Sequence, residues 1–160
     1  SEEVLPKKAT MFAYAAIALA DVAVGFVSHW LQSRKKALFI FYILTAISII
    51  FYFKMQSGTA AGMYVICAAL GFSTGFWAIF VTMAAEQFGT NLRATAATTV
   101  PNMVRGALPL IMLLFKSLQT ATGNYITAGW ITGAIIVAIS VVAAWFTEET
   151  FGKDLNYVEN

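Results

Sequence analysis

Five long apolar runs, each ended by a short polar or charged stretch, dominate the pattern of this 160-residue chain. They cover 10–31, 37–53, 60–85, 96–115 and 126–146. Each is about 17–26 residues long, enough for a helix to cross a hydrocarbon core of ~30 Å, the shortest with little tilt. Lipid offers backbone groups no water, and the polar positions within the runs do not alternate as strand residues do, so the pattern predicts helices. The expected fold is all-α and transmembrane, with a short polar tail at 147–160 after the last span.

The few polar positions inside the runs divide the predicted helices into two kinds. The first carries a stripe of polar or small residues at helical spacing: Tyr14, Asp21, Gly25, Ser28 and Gln32. The fourth carries Thr98, Asn102, Arg105 and Pro109, and the third places Ser73, Trp77 and Phe80 on one face. The second offers only Thr45 and Ser48, whose hydroxyls can bond their own backbone, and the fifth is almost uniformly apolar. Helices one, three and four are therefore expected to face an interior, and two and five to face lipid. Gly71 with Gly75, and Gly129 with Gly133, have the small-xxx-small spacing that permits close helix approach. Pro101, Gly106 and Pro109 fall within one predicted span, where each proline removes a backbone bond and can kink the chain.

Composition narrows the class rather than the function. The chain is 59% hydrophobic and 11% charged, with a mean hydropathy of +0.74, which excludes an ordinary soluble domain. One cysteine, Cys67, and one histidine, His29, supply neither a disulfide framework nor a thiol metal cluster. They also leave little from which to build a nucleophile with its base, so no enzymatic activity and no cofactor or metal is expected. Apart from Arg105, the ten Lys and Arg residues lie outside the apolar runs, as membrane flanks do, and do not make a nucleic-acid surface. The start at Ser1 without Met, and the odd number of spans, lead us to expect a piece of a longer protein or a processed form.

Asp21 and Arg105 are the charges set deep within apolar stretches. Thirteen residues separate Asp21 from Arg34 and twelve separate Arg93 from Arg105, so both would lie about 18–20 Å from one membrane face. A charge at that depth is costly unless it faces protein or water, which makes it a functional candidate. Asp21 has two open readings: a protonation or cation-coupling site, or an ion pair with Arg105. Arg105 could instead bind an anionic substrate through its guanidinium fork. Trp77, in mid-span rather than at an interface, either stacks on a substrate ring or packs in the core.

Two segments resemble motifs of the major facilitator superfamily, most closely its sugar-porter and related metabolite branches. In the stretch Glu86-Gln87-Phe88-Gly89-Thr90-Asn91-Leu92-Arg93, Glu86 and Arg93 have that family's seven-residue spacing after the tenth helix. Gly89 stands where the family has Pro, which implies a looser loop. The stretch Gly25-Phe26-Val27-Ser28-His29-Trp30-Leu31-Gln32-Ser33-Arg34-Lys35 is similar to the cytoplasmic loop motif of Gly, Asp, Gly and a basic pair. His29 replaces its Asp and Gln32 its second Gly. The resemblance implies helices eight to twelve of a twelve-helix transporter, with earlier helices of the same protein as partners. It also implies a multi-pass protein of the cell membrane with a cytoplasmic tail. Arg34, Lys35, Glu86 and Arg93 would form a cytoplasmic gate, and Asp21, Trp77, Asn102 and Arg105 would serve substrate or coupling. The expected activity is alternating-access transport of a small organic solute such as a sugar or organic acid, with H+ as a candidate coupling ion. A non-transporting assembly or receptor subunit is the alternative.

Overall fold

The computed structural model describes residues 4–54, 59–156 and 158. Of the tail expected at 147–160, positions 157, 159 and 160 lie outside the described residues, as does Ser1. Helices are the regular structure among the described residues: α1 (Pro6–Leu31), α2 (Arg34–Lys54), α3 (Ala60–Thr74), α4 (Trp77–Glu86), α5 (Arg93–Gly106), α6 (Leu108–Thr122) and α7 (Tyr125–Phe146). They make five segments long and apolar enough to cross a membrane, because α3 with α4 and α5 with α6 each form one segment.

Helix ends follow local chemistry. Pro6 opens α1 where a missing N–H costs nothing. Thr59 caps α3 by accepting from the Gly62 amide at 3.2 Å, and Asn124 caps α7 by accepting from Ile126 and Thr127. Ser33 precedes α2 and caps it, its hydroxyl accepting from the Lys36 amide at 3.1 Å.

Two of the expected spans prove discontinuous. The run at 60–85 is interrupted at Gly75 and Phe76, which leaves α3 and α4 as separate helices. The run placed at 96–115 extends from Arg93 to Thr122 and is interrupted at Ala107. Pro109 has no N–H with which to continue the ladder to the Arg105 carbonyl, so the irregularity falls just before it, at Ala107. Pro101, by contrast, is accommodated inside α5.

The chain forms two compact units: Ser1–Phe80 with Glu149–Gly152, and Val81–Glu148 with Lys153–Asn160. In the first, α1 runs parallel to α3 and α2 antiparallel to it. The parallel pair is unusually close. A Cβ added at Gly71 would meet the Ala13 carbonyl oxygen at 2.2 Å, and one at Gly75 would meet the Ala20 Cβ at 2.2 Å. The first small-xxx-small pair is thus a true contact point; at Gly133 of the second pair an added Cβ meets nothing within 4 Å. One side of α2, expected to face lipid, packs on α3. Phe41 stacks on Phe72, the Thr45 hydroxyl donates to the Ser73 carbonyl at 2.9 Å, and Ser48 is buried. Thr45 also bonds the Phe41 carbonyl of its own helix. In the second unit α6 packs against α7 and, less extensively, α5 against α6.

Candidate functional site

The break between α3 and α4 is answered by a side chain from α1. The first backbone bond of α4 that follows helical spacing is Phe80 N to the Phe76 carbonyl, so the amides just before it need partners outside the helix. The Asp21 carboxylate accepts from one of them, Ala78 N, at 3.2 Å. It does so from a half-buried position, since Ala20 and Val24 on either side are fully buried against neighbouring helices. A carboxylate at a helix start is favoured twice, by the hydrogen bond and by the positive end of the helix dipole. Neither reading open at the sequence level foresaw this cap. Gly75 was the available signal, because a glycine in mid-run is where a span can break.

Trp77, the first residue of α4, is half-buried with its ring centroid 5.5 Å from that of Phe80. Asp21 and Trp77 are therefore brought to the same break, one by its acceptor oxygen and the other by its position. Asn102 and Arg105 lie one turn apart on α5, and Arg105 Nη1 donates to Asn102 Oδ1 at 3.2 Å. Both are exposed, on a 30-residue segment of spanning hydropathy. Asp21 and Arg105 belong to different units, and each bonds a partner within its own.

The basic loop after α1 is organised by a residue that sequence reasoning passed over. Glu149, three residues beyond α7, accepts from the Ser33 hydroxyl, from Arg34 N at 2.9 Å and from Lys35 N at 3.2 Å. Its carboxylate also accepts from the amides of Thr150 and Phe151, both at 3.0 Å. Burial alone raises the Glu149 pKa, but the bonds from Ser33 and from the Phe151, Arg34 and Lys35 amides outweigh it and hold the group below its ordinary value. Arg34 donates through Nη1 to the Ser28 hydroxyl at 3.1 Å, and its guanidinium carbon lies 5.2 Å from the centre of the Phe151 ring. Thr150 is fully buried beside it. The signal for this clamp was an acidic pair, Glu148 and Glu149, just past the last span, together with a Ser before a helix start; it read only as a polar tail.

Gln32, where the resembling motif has its second Gly, adopts φ 51° and ψ 34°. That is left-handed backbone, which glycine enters freely and glutamine does not. His29 shares the region, with its ring 6.3 Å from Phe151 and its carbonyl accepting from Gln32.

In the second unit Glu86 ends α4 and is buried. Arg93 starts α5 and donates through Nη2 to the Leu155 carbonyl at 2.5 Å and to the Phe88 carbonyl at 3.4 Å. Thr90 reaches the same Leu155 carbonyl at 3.1 Å. The loop is not loosened by Gly89: its carbonyl accepts from both Leu92 N and Arg93 N, closing a tight turn, and the residue itself is buried. Among the described residues no group of three or more His, Cys, Asp or Glu is placed to hold a metal. In comparisons with protein families, curated proteins and solved structures, nothing matches the chain.

Proposed function

We propose that this chain is part of a secondary active transporter that works by alternating access, its spans corresponding to helices eight to twelve of a major facilitator fold. One observation carries the reading: Asn102 and Arg105 stay exposed on a segment long and apolar enough to cross a membrane. A guanidinium and an amide there require water or further protein beside them, as the lining of a solute path does. The interruptions at Gly75–Phe76 and at Ala107 support it, since irregular backbone at membrane depth is tolerated where it is buried in protein or lines a cavity. The cargo is a small organic solute such as a sugar or organic acid. Arg105 and Asn102 supply donors for its polar groups. Arg34 and Lys35 in the first unit, and Glu86 and Arg93 in the second, are assigned to gating, each within its own loop. The Arg34 guanidinium bonds the Ser28 hydroxyl and lies over the Phe151 ring, and that of Arg93 bonds the Leu155 carbonyl, which supports a fixed geometry for both basic groups.

The test is water access. In the protein with Cys67→Ser, a cysteine placed by Asn102→Cys is treated in membranes with a charged methanethiosulfonate. Rapid modification, slowed when a transported sugar or carboxylic acid is added, supports the path. Complete protection under all conditions would replace it with the alternative, an assembly or receptor subunit whose polar stripe is sealed in protein contacts.

A further inference from the structure

The fourth span is longer than its sequence suggested, and the extra turns extend its polar stripe. Because α6 runs on to Thr122, Lys116 and Gln119 lie in the same 30-residue spanning segment as Thr98, Asn102 and Arg105. The backbone at Ala107 stays near helical values, φ −77° and ψ −15°, so the helical phase carries across the interruption. At about 100° per residue the five side chains then fall within an arc of about 100°, and all five are exposed. From 93 to 146 the chain carries Arg93, Arg105 and Lys116 and neither Asp nor Glu. The stripe is cationic, and no acid of its own helices balances it.

We propose that the solute carried by this protein is a small monocarboxylate, its carboxylate held by Arg105 and Asn102 over the open face of Gly106. The inference rests on the transport reading above and narrows its cargo. A guanidinium has N–H donors and no acceptor, so Asn102 turns its amide oxygen to Arg105, at 3.2 Å, and keeps its NH2 group for a ligand. The pair therefore offers chiefly donors, and one positive charge with them. A neutral sugar would occupy donors and leave the charge unbalanced at membrane depth. A carboxylate answers both needs, and its two oxygens match the guanidinium fork. Gly106 stands one turn beyond Asn102, exposed, and a Cβ added there meets nothing within 4 Å. A ligand can approach the helix closely at that point.

Spacing along the segment limits the ligand to one negative charge. Arg93 lies about 18 Å from Arg105 along the axis, with its guanidinium bonded to the Leu155 carbonyl. Lys116 lies about 16–17 Å away in the other direction. Neither reaches a solute of a few carbon atoms seated on Arg105. A dicarboxylate or a phosphate ester would bring a second charge with no cation beside it, and its desolvation is costly. Lys116, six residues before the end of α6, has a stem long enough to carry its ammonium toward the membrane surface. There it raises the local concentration of anions.

Thiol labelling in lipid vesicles at neutral pH tests the site. In the protein with Cys67→Ser, Gly106→Cys places a thiol where the added Cβ has open space. Relative to a free thiol in water, an anionic methanethiosulfonate should outpace a cationic one by about tenfold or more. Equal rates, or a faster cationic reagent, would show that a carboxylate of the protein already balances Arg105, and overturn the proposal. Monocarboxylates from acetate to benzoate are then tried as protectants. At least one should protect about 10–100-fold better than its neutral amide or glucose, and better than succinate or glycerol phosphate. Arg105→Gln should erase the difference between acid and amide while labelling without solute persists. Arg105→Lys, which keeps the charge and loses the fork, should retain part of it. Equal protection by amide or sugar, stronger protection by the dianions, or undiminished protection in Arg105→Gln overturns the monocarboxylate assignment and leaves the transport reading in place. Labelling that no solute slows overturns the site. Failure of both reagents to reach the thiol removes the water path, and transport and this site with it.

Discussion

Replacing Gly71 by Ala isolates how much the close approach of α1 and α3 contributes. The new Cβ would lie 2.2 Å from the Ala13 oxygen, 2.8 Å from its carbonyl carbon and 2.9 Å from its Cα. All three are backbone atoms, so no rotamer change relieves them. Reaching ordinary contact at 3.4 Å requires the two helices to part by about 1 Å at this point. A gap of that size forfeits a quarter to a half of the local dispersion attraction, and overpacking of this kind costs about 1–3 kcal/mol. Alanine recovers about 1 kcal/mol of helix propensity, so the net loss is about 0–2 kcal/mol. Gly133→Ala in α7 has the same propensity gain and nothing within 4 Å to meet. Subtracting the two variants cancels propensity and leaves the packing term, about 1–3 kcal/mol. Cys67, one turn before Gly71, is the natural reporter: a dye that fluoresces on reaction with its thiol follows the opening of α3 on heating in detergent. Gly71→Ala should melt below Gly133→Ala by several degrees. Equal melting of the two, or Gly71→Ala above the unmodified protein, would refute the contact.

Glu149 should make the α1–α2 turn acid-sensitive. Its pKa is depressed in the folded protein, so its contribution is present above the unfolded value of about 4.3 and is lost as pH falls through the lower folded value. Exchange protection of the Arg34 and Lys35 amides should therefore hold from neutral pH down to that range and then drop, and Glu149→Ala should lack it throughout; protection unchanged in Glu149→Ala would sink this. Gln32→Gly should raise the melting temperature by the equivalent of up to about 1 kcal/mol, since left-handed backbone costs a residue with a Cβ about 1–2 kcal/mol and glycine gives back part of that as unfolded-chain entropy. Gln32→Val should lower it; the opposite order of the two would show that the turn is held by the glutamine side chain, which donates to the His29 carbonyl at 2.9 Å.

Length and hydropathy carried most of the fold, because a spanning helix is written in a contiguous run of residues. The five runs of the sequence and the five spanning segments of the structure coincide to within a few residues at most ends. The end at Phe115 was misjudged, because Lys116 looked like a membrane flank although α6 continues to Thr122. Polar stripes carried less. They marked Asp21 and Arg105 as costly and left open what satisfies them, since a hydrogen bond from Asp21 to Ala78 joins positions 57 residues apart. Nothing in a local pattern encodes that register; it follows from Gly71 and Gly75 letting α1 and α3 lie side by side. The Glu149 clamp was hidden for the same reason, its bonds to Ser33 and Arg34 spanning 116 and 115 residues.

The two long-range acceptors share a physical logic. Asp21 answers the amides at the start of α4, and Glu149 those at the start of α2. In each case a carboxylate supplied from a distant part of the chain occupies the positive end of a helix. At α4 the distant carboxylate stands in for a missing local cap, and at α2 it adds to the Ser33 cap. Gly75 and Phe76 precede α4 with no side-chain acceptor, and the Ser33 hydroxyl that caps α2 is itself a donor to Glu149. Each bond is strengthened by the charge of its acceptor, because the amide then donates to an anion at the positive end of a helix.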